Sequence, residues 1–239
     1  MTAGNTPRPS EGPGPPQGTP VGRRIFLGLL GLGAAGILGG NKVQNGLSHL
    51  LEPVEAHDPT GLVALFPLGA AFRYYSVAGS VPTPSATSYR LRVSGLVRRS
   101  SSYTLRDLQG MRQTGLVQGF QCVTGWRVLD VAWSGVALST LLELAQPTDA
   151  ATAVRFRSFD GIYSESLTLE EARKPGVLVA LRMLGAPVTH DHGGPVRMYV
   201  SSSYGYKSTK WLSAIELTHG QVPGYWEPRG YDIDGRIRE

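Results

Sequence analysis

Apolar and polar side chains alternate over Tyr89-Arg90-Leu91-Arg92-Val93. They alternate again from Ala153 to Phe159, where Val154 and Phe156 are apolar and Arg155 and Arg157 polar. Successive side chains of a strand point to opposite faces, so both segments predict half-buried strands. Val177–Met183 and Val196–Val200, apolar but for Arg182 and Arg197, predict more strands together with Trp211–Leu217, and Leu116–Val123 and Val131–Val136 another two. The period becomes helical over Ala137–Ala145, where Leu138, Leu141, Leu142 and Ala145 share one face. Thr104-Leu105-Arg106-Asp107 and Thr168-Leu169-Glu170-Glu171 have the form of capping boxes and open two short helices, the first reaching about Met111. An aromatic segment, Phe72–Val77, runs into turn-rich residues 78–88. Pro53, Pro59 and Pro67 break residues 41–70 into an irregular lead-in. The Pro-, Gly- and aromatic-rich tail from Val222 to Glu239 is expected to wrap the surface. Strands in this order, interrupted by brief helices and long loops, predict an α+β fold with a mixed sheet.

Composition narrows the function classes. A 239-residue chain that is 41% hydrophobic can bury a core, and its 31 glycines and 17 prolines require many loops. The net charge of +5 is unevenly placed: Arg8, Arg23, Arg24 and Lys42 face only Glu11 in the first 42 residues. The rest of the chain is near neutral and has no basic arm, which argues against nucleic acid as a partner. Residues 1–22, rich in Pro, Gly, Ser and Thr, read as disordered. Arg23-Arg24-Ile25-Phe26-Leu27 then leads a weakly apolar, Gly-rich run, the layout of a twin-arginine signal or retained anchor over 23–45. That route carries folded proteins, commonly with a cofactor, to a periplasmic or extracytoplasmic location. Residues 46–239 are expected to form the single functional domain.

Cys122 is the only cysteine. It excludes an internal disulfide and any multi-cysteine zinc or iron–sulfur site. Its own residue pattern leaves three readings: a small buried hydrophobe, a nucleophile, or a soft ligand to a metal cofactor. Gly119-Phe120-Gln121-Cys122-Val123-Thr124-Gly125-Trp126 places it where a strand gives way to a loop, a position ligands and nucleophiles favour. A nucleophile needs a base, and the sequence neighbours offer only Gln121 and Thr124. His190 and His192, spaced as on one face of a strand, form an H-x-H pair without a further Cys or His nearby.

The cysteine block is followed in order by His192-Gly193-Gly194-Pro195-Val196-Arg197, by Tyr204-Gly205-Tyr206-Lys207-Ser208-Thr209-Lys210-Trp211, and by Gly224-Tyr225-Trp226-Glu227-Pro228-Arg229-Gly230-Tyr231. This ordered set resembles the sulfite-oxidase-type molybdopterin oxidoreductases, from about Phe72 to Tyr231. Their smaller exported branch includes the catalytic subunits of protein-methionine-sulfoxide reductases. The resemblance implies a Mo-molybdopterin cofactor, one pyranopterin without a nucleotide. In this family a protein cysteinate completes the sulfur ligation of molybdenum, and Cys122 matches it. Arg197 and Lys210 match contacts to the anionic tail of the pterin, with Ser208 and Thr209 beside the same phosphate. His192, Ser158, Tyr75 and Ser76 match further cofactor contacts, and Gly193-Gly194 allows close backbone approach. Arg127, and Arg73 beyond it, are candidates to face the substrate.

The implied reaction is two-electron oxygen-atom transfer, with electrons supplied by another protein. No C-x-x-C-H haem motif and no nicotinamide or flavin fingerprint occurs in the chain, so a haem-containing partner, membrane-embedded or soluble, is expected. The chain is too short for the additional dimerisation domain of sulfite oxidases. That favours a monomeric reductase acting on an S-oxide or N-oxide. A sulfite-oxidising enzyme, a cofactor-free binding module on the same fold and a thiol enzyme are the alternatives.

Overall fold

The computed structural model describes residues 76–77, 82–123, 125 and 127–237. The expected disordered segment 1–22, the leader at 23–45, Arg73 and Tyr75 lie outside the described residues.

Two five-stranded sheets organise the chain. In the first, β1 (Arg90–Gly95) pairs with β2 (Ser101–Thr104) on one side and runs parallel to β12 (Leu212–Thr218) on the other. Beyond β12 come β7 (Ala153–Ser158) and β8 (Ser164–Thr168), both antiparallel to their neighbours. The second sheet centres on β9 (Val177–Met183). One of its edges takes β6 (Ala132–Ala137), which continues to β3 (Thr114–Val117); the other takes β10 (Ala186–Pro187) and β11 (Arg197–Val200). A ribbon of β4 (Phe120–Gln121) and β5 (Arg127–Val128) stands beside them. This is the mixed α+β architecture expected.

The periodicities explain the layers. Val177, Val179 and Leu181 of β9 join Leu91, Val93, Leu138, Leu141, Leu142, Phe156 and Ile215 in one hydrophobic cluster. Leu178, Ala180 and Met183 point the other way, into a second cluster with Phe120, Trp133 and Tyr199. A strand buried on both faces reads as an unbroken apolar run, as Val177–Leu181 does before the exposed Arg182. Helix α2 (Leu138–Ala145) buries Leu138, Leu141 and Leu142, each burial stabilising by about 1.5–3 kcal/mol. Both capping boxes form: Thr104 with Asp107 at α1 (Leu105–Gly110), and Thr168 with Glu171 at α3 (Leu169–Ala172). Among the described residues no helix is long and apolar enough to cross a membrane.

Three expectations require correction. Leu116–Val123 is not one strand. β3 ends at Val117, and Gln118-Gly119 redirect the chain so that Phe120 and Gln121 pair with Val128 and Arg127 instead of β6. His190 and His192 are not on a strand; His192 and Gly193 donate backbone bonds to Thr189 and His190 in a tight turn. The tail does more than wrap, because Glu227 reaches a fully buried lysine. The polar sequence Ser164-Glu165-Ser166 gave no strand signal, yet β8 is buried, since Glu165 has a cation to meet.

Candidate functional site

The site is built at the edge of the second sheet, around the ribbon that carries Cys122. Cys122 follows β4 directly, and its carbonyl accepts the Gly125 amide at 3.1 Å, turning the chain. The cysteine is half-buried and packs against the second cluster with Leu116, Val128 and Ala137. The Tyr199 hydroxyl of β11 donates to the Gly119 carbonyl at 2.6 Å, and the Trp133 indole donates to the Gln118 carbonyl at 3.2 Å. Trp133 and Tyr199 stack at 4.3 Å. Two rigid strands therefore fix the approach to Cys122.

Arg197 opens β11 and is 1% exposed. Its guanidinium donates to the His192 carbonyl at 2.7 Å, to the Ser208 carbonyl at 3.3 Å and to the Met198 carbonyl at 3.2 Å. It stands 5.4 Å from the ring centres of both Phe120 and Trp133, a cation–π arrangement on two sides. No carboxylate is ion-paired with it among the described residues. Burial pushes its pKa down to about 10, still far above neutrality.

Lys210 lies close enough to feel this charge. Burial first, and Arg197 second, push it down to about 7, against the opposing pull of Asp160, Cys122 and Asp191. Burial lowers His192 as well, helped by Arg197 and Lys210. Arg197 and Lys210 thus bring positive charge into a partly dehydrated space, and an arriving anion would relieve their repulsion. Thr209 is fully buried, and its hydroxyl oxygen has no hydrogen-bond partner among the described residues. Gly193 adopts φ +99°, and a Cβ there would stand 2.6 Å from the Lys210 Cβ, so glycine alone lets the 193 backbone lie against Lys210.

The remaining predicted residues fall variously around this centre. Ser208 is buried, but its hydroxyl accepts the Val200 amide at 3.0 Å, so it also braces β11. Ser158 is buried, not a surface serine; it pairs in register with Leu212 and accepts the Asp160 amide at 3.3 Å. Arg127 is half-buried across the ribbon from Gln121, one position from Cys122. Ser76 is half-buried, while its partner Tyr75 lies outside the described residues.

Several neighbours were not singled out from the sequence. Burial raises the Tyr163 and Tyr231 hydroxyls, and the charge of Cys122 adds to both shifts, so both rings lie within its electrostatic reach. Behind them Lys207 is fully buried, bonded to Glu165 at 2.8 Å and Glu227 at 3.1 Å. Lys207, Glu227 and Tyr231 stand inside recognised sequence blocks, yet nothing in the pattern shows that they converge. Tyr163 and Glu165 carry no signal at all.

The chain matches the family model described as the oxidoreductase molybdopterin-binding domain over residues 78–226. It is 31% identical over 183 residues to the putative protein-methionine-sulfoxide reductase subunit YedZ1 of Azospira oryzae, covering 74% of this chain and 69% of that one. It is 32% identical over 158 residues to the oxidoreductase YuiH of Bacillus subtilis, covering 66% of this chain and 79% of the relative. The protein-methionine-sulfoxide reductase catalytic subunit MsrP of Ralstonia nicotianae is 30% identical over 58% of this chain, which spans only 46% of that relative. Among solved structures, the sulfane dehydrogenase SoxCD of Paracoccus pantotrophus superposes with a TM-score of 0.56 at 19% identity, covering 64% of this chain and 46% of its own. That likeness concerns the fold: the sheets are those of the sulfite-oxidase-like architecture. With its family model spanning well over half of the sequence, the chain belongs to the molybdopterin-binding oxidoreductases, molybdenum-dependent enzymes.

Proposed function

We propose that this protein is an exported reductase of S-oxides, with N-oxides as a neighbouring substrate class. The observation that carries the reading is the pairing of one half-buried thiol with a buried excess of positive charge at Arg197 and Lys210. Such a combination suits a ligand with soft sulfur chemistry at one end and an anion at the other. The residues fit a molybdopterin: Arg197 offers a guanidinium fork, Thr209 a hydroxyl awaiting a partner, Lys210 an ammonium that an anion would recharge, and Gly193-Gly194 a backbone that admits close approach.

In this reading the Cys122 thiolate ligates molybdenum, a high-valent cation that keeps a thiol deprotonated. Arg197, Thr209 and Lys210 would hold the pterin phosphate, Ser208 would brace β11, and His192, Ser158 and Ser76 would supply further cofactor contacts. When bound, the cofactor supplies two-electron oxygen-atom transfer. Arg127 faces the substrate and orients the polar S–O group. Reduction of an S-oxide consumes two electrons and two protons and yields the sulfide and water. With no haem, flavin or nicotinamide signature in the sequence, a haem-containing partner supplies the electrons. Arg23-Arg24 directs the chain out through the twin-arginine route, and the mature protein acts as a monomer. The named relatives that are methionine-sulfoxide reductases favour a sulfoxide over other oxides.

The test is a substrate panel with holoprotein and a chemically reduced viologen as electron donor. Methionine sulfoxide and dialkyl sulfoxides should oxidise the viologen, and sulfite with an oxidised acceptor should give no turnover. Sulfite oxidation in the absence of sulfoxide reduction would reverse the assignment of direction.

A further inference from the structure

The geometry points to the C-terminal segment as a strap fastened to the loop of residues 207–210, held from inside by Glu227 on Lys207; these two are positioning residues for the site. The inference rests on the proposed cofactor role of residues 207–210 but concerns what keeps that loop and the tail in place.

Lys207 is fully buried, and all three ammonium protons are used: on Glu165 at 2.8 Å, on Glu227 at 3.1 Å, and on the Ile233 carbonyl at 2.8 Å. Two of these partners belong to the tail. One ammonium between two carboxylates leaves a negative surplus. Burial pushes Glu165 up to about 9, so it carries a proton at neutral pH. Glu227 remains ionised: burial opposes this, but bonds from Glu165 and the attraction of Lys207 hold its pKa below the usual value. Glu165 anchors the ammonium to β8, and the Lys207–Glu227 pair at 3.1 Å joins the tail to the loop carrying Thr209 and Lys210.

The tail is shaped for this attachment. Its backbone presses on β8, where a Cβ on Gly224 would stand 2.1 Å from the Ser164 carbonyl oxygen. The other Glu227 carboxylate oxygen accepts the Gly224 amide at 2.8 Å, closing a loop over Tyr225 and Trp226. Trp226 then packs on Tyr231 at 4.9 Å, and Tyr231 packs edge-on against Tyr206, the neighbour of Lys207, at 5.3 Å. Tyr231 is the tail residue within electrostatic reach of Cys122. The tail is thus tied to the 204–210 loop by packed rings as well as by the buried pair. Arg236 also fastens the tail, to Glu171 at 2.8 Å, but on the surface, where a pair adds little.

The experiment compares molybdenum-loaded full-length protein with its Glu227→Gln, Glu227→Asp and Arg236→Ala variants. Molybdenum and pterin released after dilution are followed together with amide hydrogen exchange and KM and kcat for a sulfoxide. Glu227→Gln should speed cofactor loss by about 10–100-fold, the range typical of a lost supporting contact. Exchange should rise over residues 222–237 and the 204–210 loop while β7, β9 and β12 stay protected, and KM should rise more than kcat falls. Glu227→Asp should restore part of the retention, and Arg236→Ala should match the unsubstituted protein. Retention of cofactor in Glu227→Gln at the unsubstituted rate, with or without a looser tail, would overturn the inference. So would protection lost throughout the sheets, which would make the pair a general support of the fold. If the unsubstituted protein takes up no molybdopterin, the functional reading itself fails, and that result precedes any comparison of variants.

Discussion

The Tyr199 hydroxyl donates to the Gly119 carbonyl at 2.6 Å, tying β11 to the segment that delivers Cys122 three residues later. Arg197 lies two residues before Tyr199 on the same strand, so one short strand sets both ends of the proposed cleft. Tyr199→Phe removes the bond and leaves a carbonyl short of its partner, at a cost of about 1–3 kcal/mol. Denaturant unfolding should show that loss. Molybdenum content should fall as well, because the cysteine approach loses its anchor.

Arg197 has carbonyl and aromatic neighbours but no paired carboxylate among the described residues. Arg197→Met keeps the bulk and removes the charge. If the guanidinium holds the pterin phosphate, retention of the pterin should drop by about 10–100-fold, the equivalent of one charge-assisted hydrogen bond of about 1.5–3 kcal/mol. In the cofactor-free form the removal of a buried charge and the loss of the donor to the His192 and Ser208 carbonyls oppose each other, so thermal unfolding should shift less than pterin retention. Pterin fluorescence after gel filtration and thermal unfolding of the two forms separate these effects.

The pKa of Lys210 near 7 makes anion binding depend on pH. The unfolded lysine titrates near 10.5. Between about 7 and 10.5 the unfolded chain binds the extra proton, so this group makes the cofactor-free protein more stable as pH rises through that window. An anion prefers the charged ammonium, so the affinity for sulfate, a dianion throughout pH 6 to 9, should fall as pH rises above about 7, with proton uptake on binding. Calorimetric titration in buffers of different ionisation enthalpy measures that uptake. Affinity unchanged from pH 6 to 9 would contradict the placement of Lys210 at the anion.

Gly193 tests the fit of the backbone. Its positive φ and the 2.6 Å approach of a Cβ to Lys210 mean that Gly193→Ala strains the turn by about 1–3 kcal/mol and displaces the lysine. Reduced cofactor occupancy should accompany the lost stability. Gly161→Ala, where φ is also positive but a Cβ meets nothing within 4 Å, should show strain without the loss of cofactor.

The strands with a strict period were legible: Leu91 and Val93, Val154 and Phe156, and the doubly buried Val177–Leu181 all lie where alternation or an apolar run puts them. The capping boxes were legible because their contacts are local, within three residues. What sequence could not reveal is long-range and polar. Glu165 lies 42 residues from Lys207, and Glu227 another 20 beyond it. No local rule marks β8 as buried when its inward charge is balanced from so far away. The break at Gln118-Gly119 was hidden for a related reason: the apolar run continues through it, while the pairing partner changes from β6 to β5. At the site, the ordered blocks named Cys122, Arg197 and Lys210 as candidates, but gave no sign of Tyr163, which the loop between β7 and β8 brings within electrostatic reach of Cys122.

Molybdenum X-ray absorption on holoprotein and its Cys122→Ser variant tests the central claim most directly, because it counts sulfur atoms bound to the metal. The account predicts one sulfur neighbour fewer in the variant, with pterin still partly bound and sulfoxide turnover gone. An identical sulfur count in the two proteins would contradict it.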